Sequence, residues 1–253
     1  MGAEQTNSEL IQRVELLKVP INIIAPEHLS DVVYNFVKEE KENNIILLSL
    51  WDLLRARRNN EYRAYVMRAS LVIPISKSLI SGIKFLTGKK AYRYMPFDFI
   101  ISILTLLENR EMSCYLLGGK NRVLFKTEKN LKQTFPRLRI VGRYPGYFKK
   151  NDESTIIKAI KKSSPSLLLV GSGVRGEERW IARNNNTLGN GMRLWCSDIF
   201  DVFAEKKKHP SNSSFEKGLE WIGYCFQNPF KFFRLFPYIG YNFILLFYKL
   251  FVK

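Results

Sequence analysis

Two glycine turns carry the residue types suited to holding a phosphorylated ligand. The first is "LLGGKNRV" (residues 116–123), where Gly118 and Gly119 permit close backbone approach and Lys120 and Arg122 supply charge for a diphosphate. The second is "GSGVRGEERWIARNN" (residues 171–185), where Gly171 and Gly173 close the apolar run "LLLV" and the acidic pair Glu177 and Glu178 opens a helical pattern. A helix amino terminus there would offer free N–H groups to a phosphate or a sugar hydroxyl. A plain turn with capping glutamates, or one before a solvated helix, fits the same residues.

Other chemistries have fewer candidates. The second turn lacks the third glycine of a dinucleotide fingerprint and the G-K-[ST] ending of a P-loop. There is no D-x-D pair, so no metal is expected; Asp198 and Asp201 of "DIFD" stand at a helix start, the first as a cap and the second one turn inside. The two histidines, His28 and His209, are far apart, and the three cysteines, Cys114, Cys196 and Cys225, form no C-x-x-C. These argue against a zinc site and against a serine–histidine–aspartate triad. Cys114 and Cys196 lie in strand-like runs and are expected as buried free thiols.

The elements that position these residues alternate in period. "IILLSL" (45–50), "SLVIP" (70–74), "CYLLGG" (114–119), "RIVG" (139–142), "SLLLVGSG" (166–173) and "MRLWCS" (192–197) read as short strands. Between them lie helical patterns: a basic stretch over 51–69, "KSLISGIKFL" (77–86), 122–133, 152–162 with Asn151 as N-cap, one from Glu177 and one from Asp198. The alternation predicts an α/β, Rossmann-like, mainly parallel sheet with helices on both faces. Ligands in such sheets bind beyond the carboxyl ends of the strands.

The chain divides into residues 1–205, the α/β unit, and 206–253, a basic, aromatic helical appendage with eight Lys/Arg and two acids. Tyr241–Lys253 is apolar nearly all round, with Asn242, Lys249 and Lys253 as one polar stripe. It falls short of the ~20 apolar residues of a spanning helix. An interfacial helix on an anionic membrane is the favoured reading; a core helix or a seam between two copies remains open. Forty Lys+Arg against 23 Asp+Glu give a net charge of +17, a preference for polyanions. The cations are scattered and match no nucleic-acid-binding motif, so no specific nucleic acid is expected. The amino terminus has no secretion-signal core, which predicts a cytoplasmic protein.

Taken in order, these pieces resemble the WecG/TagA/CpsF family of bacterial glycosyltransferases. "RVELLKVPINIIAPEHLSDVV" (13–33) is similar to the family's first strand and helix, and "CYLLGG" followed by "FPRLRIVGRYPGYF" (135–148) to its central stretch. "LLLVGSGVRGEERWI" matches its glycine and Trp-Ile signature, and Gly218–Trp221, Pro229 and Arg234 its closing one. The resemblance implies transfer of an N-acetylhexosamine from a UDP-sugar to a polyprenyl-diphosphate-linked acceptor, on the inner face of the cytoplasmic membrane and without a cofactor. It makes Gly118, Gly119, Gly171, Gly173 and Asp201 donor contacts, and Arg93, Lys208, Lys231 and Arg234 contacts to acceptor or leaving-group phosphates.

The departures bear on the chemistry. The family's Pro-Asp-Gly, whose aspartate is its expected base, is Pro74-Ile75-Ser76 here; its Thr-x-Asn is Leu47-Leu48-Ser49, and its Pro-Lys-Gln-Glu is Arg175-Gly176-Glu177-Glu178. Isoleucine accepts no proton. Asp52, just after Ser49, is then the candidate base, with Ser49 and the retained acid Glu178 beside it. The alternative is a catalytically degenerate relative that binds a nucleotide sugar or serves as a scaffold. Exposed aromatics in the tail would also favour a homo-oligomer.

Overall fold

A computed structural model describes residues 6–39, 41–58, 60–208, 215 and 236–252. After a one-turn helix α1 (Asn7–Leu10), the chain forms an antiparallel hairpin, β1 (Gln12–Leu16) and β2 (Val19–Ile23). Leu17 and Lys18 make its turn with φ of 53° and 64°, the left-handed pair that matches strand twist in a two-residue hairpin. This corrects the expectation of a first strand followed directly by a helix. The hairpin stays outside the main sheet and shields its edge, Asn22 Oδ1 accepting a bond from the Val72 amide at 2.7 Å.

The main sheet holds six strands: β3 (Glu42–Leu48), β4 (Leu71–Pro74), β5 (Ser113–Leu117), β6 (Arg139–Tyr144), β7 (Leu167–Val170) and β8 (Gly191–Trp195). Their order is β4-β3-β8-β7-β5-β6 and every pairing is parallel. All residues of β4, β5 and β7 are buried, as expected for strands covered on both faces.

The pleat sends alternate side chains into two cores. Ile46, Leu48, Val72, Leu117, Leu168 and Val170 face one layer, built from the hairpin, α3 (Leu50–Ala56), α4 (Glu61–Arg68), α5 (Lys77–Thr87), α8 (Glu153–Ser163), α9 (Glu178–Asn184) and the terminal helix α11 (Phe236–Phe251). Ile45, Leu71, Ile73, Leu116, Leu169 and Leu194 face the other, where α2 (Leu29–Lys38), α6 (Pro96–Asn109), α7 (Asn121–Thr134) and α10 (Ile199–Phe203) lie. The basic stretch after β3 is two helices, because the chain turns after Arg57 and Asn60 Oδ1 caps α4 by accepting from Arg63 N at 2.9 Å. Asp152, not Asn151, precedes α8, and its side chain makes no capping bond.

Helix α11 docks through Tyr241 and Leu245, both buried. The Tyr241 hydroxyl donates to the Ser78 carbonyl at 3.1 Å and lies over Gly82, where a Cβ would come within 2.0 Å of it. Ile239, Phe243, Leu246, Phe247, Leu250 and Phe251 of α11 remain exposed. Among the described residues, no helix is long and apolar enough to cross a membrane.

Candidate active site

The carboxyl end of β3 turns into α3 through a reciprocal cap. Ser49 Oγ accepts from the Asp52 amide at 3.3 Å, while Asp52 Oδ2 accepts from the Ser49 amide at 3.1 Å and from the Ser49 hydroxyl at 2.5 Å. A serine and an acid three residues apart at a helix start form this box because each satisfies a donor of the other. It fixes the Asp52 carboxylate at the strand end. Burial nevertheless raises the Asp52 pKa above the ordinary aspartate range, against the lowering effects of Ser49 and Arg55.

Glu178 reaches the same place from the far side. It begins α9 and is buried, and its Oε1 accepts from Arg55 Nη1 at 2.6 Å. Arg55 lies one turn beyond Asp52 and its guanidinium stacks 4.0 Å from the Tyr62 ring centroid. A bidentate pair, Arg183 to Glu61 at 2.6 and 2.8 Å, ties α9 to α4. Burial raises the Glu178 pKa, with the neighbouring charges of Asp52 and Glu177 adding to the rise and Arg55 opposing it.

Asp52 and Glu178 line one small cavity, together with Ile45, Ile46, Leu47, Tyr62, Tyr65 and Trp195. Thus two of the sequence candidates meet, from helices that leave different strands, with Ser49 holding the first. Two carboxyls whose pKa values burial raises, held in one recess, are candidates for proton transfer. Arg55, Tyr62, Tyr65 and Trp195 were not singled out from sequence; only the position of Trp195 at the end of "MRLW" and of Arg55 one turn after Asp52 pointed to them.

Four amides within the glycine turns are engaged inside the fold. Gly118 N donates to Tyr144 O, Gly119 N to Ser172 O, Gly171 N to Leu117 O and Ser172 N to Ser197 O, at 2.6 to 2.9 Å. These N–H groups tie the turns to neighbouring strand ends and loops, so buried backbone donors are satisfied there. The glycines themselves are required by contact: a Cβ on Gly118, with φ of 132°, would meet the Gly171 backbone at 2.8 Å, and one on Gly171 would strike the Phe200 ring. Tyr147, exposed, lies over Gly173. Glu177 precedes α9 with φ of 57° and makes no side-chain cap.

Asp198 pairs with Lys207 and makes no side-chain cap to α10, contrary to its expected role; Asp201 Oδ1 lies 3.2 Å from Lys206 Nζ. Lys208 is exposed. Arg93 donates to the Ile75 carbonyl at 2.8 Å and to the Phe215 carbonyl, and stacks 3.6 Å from the Phe215 ring; burial lowers its pKa to about 10. Asp201, Lys208 and Arg93 contribute no side chain to the lining of the Asp52–Glu178 cavity. Lys231, Arg234, Gly218–Trp221, Pro229 and Cys225 lie outside the described residues. Cys114 is buried and free; Cys196 is free but only half-buried, a correction to the expectation for it. No group of three metal-ligating side chains occurs among the described residues.

A parallel six-stranded sheet with a carboxyl-lined recess at its strand ends defines a Rossmann-like α/β protein built for ligand chemistry at that edge. The model of the glycosyl transferase WecG/TagA/CpsF family matches residues 14–253, and the chain belongs to that family. The protein is therefore a glycosyltransferase. It is similar to an N-acetylglucosaminyldiphosphoundecaprenol N-acetyl-beta-D-mannosaminyltransferase of Staphylococcus aureus (strain NCTC 8325 / PS 47), 22% identical over 224 residues, 88% of this chain and 81% of the relative. A protein of the same name from Bacillus spizizenii (strain ATCC 23059 / NRRL B-14472 / W23) is 23% identical over 180 residues, 71% of this chain and 69% of that one.

Proposed function

We propose that the protein transfers an N-acetylhexosamine, by likeness to its relatives N-acetylmannosamine, from a UDP-sugar to a polyprenyl-diphosphate-linked N-acetylglucosamine acceptor. Asp52 removes the proton of the acceptor hydroxyl as the new glycosidic bond forms, taking over from the aspartate that Ile75 replaces. Ser49 orients Asp52, and Glu178 is the second acid of the site. The observation that carries this reading is the convergence of Asp52 and Glu178 on one recess at the ends of β3 and β8.

The glycine turns admit the donor by close backbone approach rather than through their own amides, with Asp201 at the rim. Arg93, Lys208, Lys231 and Arg234 neutralise acceptor and leaving-group phosphates, where charge develops as the bond to UDP breaks. The exposed aromatic face of α11 rests on an anionic membrane surface, which places the enzyme peripherally on the inner face of the cytoplasmic membrane. The test is transfer from UDP-N-acetylmannosamine to a short-chain lipid-diphosphate acceptor, alongside calorimetric binding of UDP with ATP as control. Asp52→Asn should lower kcat by about 10²–10⁴ while UDP binding is kept. Full activity in that variant would remove Asp52 from the chemistry.

A further inference from the structure

Two residues that line the recess each carry a buried polar atom without a protein partner. Trp195 Nε1–H is a donor, Glu178 Oε2 is an acceptor, and both are sealed from bulk solvent. The Glu178 side chain is 8% exposed, and only its other oxygen is engaged, by Arg55. Buried side-chain polar atoms are nearly always bonded, so a donor and an acceptor left together point to a shared third group. The cavity between them measures about 20 Å³. A resident water needs about 10–15 Å³ and two to four polar partners.

We infer that this cavity holds one resident water, accepting from Trp195 Nε1–H and donating to Glu178 Oε2 and to the Asp52 carboxylate, and that this water relays the transferred proton. The relay rests on Asp52 being the base; the water site does not. As the glycosidic bond forms, the acceptor O–H breaks and its proton goes to Asp52, while UDP leaves with the electron pair of the donor bond. Asp52 then gives a proton to the water as the water gives one of its own to Glu178 Oε2. One O–H is made for each one broken, the water is regenerated, and no co-reactant is needed. Ile45, Ile46 and Leu47 give the recess an apolar wall. The titratable and charged groups facing Glu178 are Arg55 and Asp52 from α3, Tyr62 and Tyr65 from α4, Glu177 beside it and Arg193 of β8 behind Tyr65. Trp195 is a positioning residue, with no proton of its own to give.

A high-resolution crystal structure of the ligand-free protein should show one density peak at ~2.7–3.2 Å from Trp195 Nε1, Glu178 Oε2 and an Asp52 oxygen. An empty recess, or Trp195 donating directly to Glu178, would overturn the water site whether or not the protein transfers sugar. In the transfer assay, Trp195→Phe should lower kcat about tenfold, short of the loss on removing the base. It should leave the donor KM in place and change the solvent deuterium isotope effect on kcat. Glu178→Gln, which keeps the shape of the site, should do the same. Unchanged kcat and isotope effect in either folded variant would sink the relay while leaving the assignment of Asp52 intact.

Discussion

Arg55 Nη1 lies 2.6 Å from Glu178 Oε1 and so joins the helix that follows β3 to the helix that follows β7. One residue of the pair is 34% exposed and the other 8%. Solvent therefore keeps the pair below the ~3–5 kcal/mol that breaking a buried ion pair costs.

Arg55→Leu should destabilise the fold by about 1–2 kcal/mol, measured by urea unfolding. Arg55 holds the Glu178 pKa down, so its loss should raise that pKa further. A carboxyl-labelled NMR titration of Glu178 that moved down, or not at all, would contradict the pairing.

Ser49→Ala tests the cap and the pH profile together. Loss of the hydroxyl should cost about 1 kcal/mol through α3. It also removes a bond that favours the ionised Asp52, whose pKa is already raised by burial. Native protein then binds this proton more tightly than unfolded protein does. The stabilisation is complete below the unfolded aspartate range and is lost as pH rises through the native pKa. With Asp52 as the proposed base, activity runs the other way, rising with pH through the same pKa. The acidic limb of kcat should therefore move to higher pH in Ser49→Ala; an unmoved limb would separate Ser49 from Asp52.

Gly82→Ala should lift α11 from α5, because the added carbon meets the Tyr241 hydroxyl at 2.0 Å. The overpacking should cost about 1–3 kcal/mol, while Tyr241→Phe, which removes only the bond to Ser78, should cost about 0.5–1.5 kcal/mol. Amide exchange across α11 distinguishes the two: rapid throughout in the first, near wild type in the second.

Sedimentation with vesicles containing anionic lipid tests the exposed face of α11. Phe243→Ser with Phe247→Ser should reduce binding at least tenfold, as about two large apolar side chains leave the interface. Equal sedimentation of wild type and variant would detach this face from the membrane.

β4, β5 and β7 were legible because they are apolar runs bounded by glycine, proline or serine, and burial on both faces leaves no alternation to misread. The hairpin was less so. "RVELLKVPIN" turns at Leu17-Lys18, two residues with side chains in the left-handed region, where sequence signals expect Asn-Gly. Helix α6 escaped attention because "FDFIISILTLLEN" is apolar around most of its circumference, which hides its period. At the site, Asp52 and Glu178 were readable as residues, but their meeting depends on β3 and β7 being separated only by β8, a long-range order that no local pattern carries. The partners of the glycine-turn amides lie on neighbouring strand ends and loops, an arrangement visible only once parallel strand ends are side by side. Ile75 packs with the layer holding α2 and α6 and takes no part in lining the recess, so nothing local to that position pointed to Asp52.

The bond from the Val72 amide to Asn22 gives the sheet a closed side and an open one. At β4 the hairpin stands in the way of any incoming strand. At β6 no further strand pairs among the described residues, and the edge presents Arg139 and Arg143 together with a half-exposed run. Two copies approaching edge to edge would bring like charges together at the one place where strands could still join. Charge at that edge thus opposes growth by strand addition, and the apolar side chains exposed along α11 are joined by Trp51, Phe125 and Tyr147 elsewhere on the described surface.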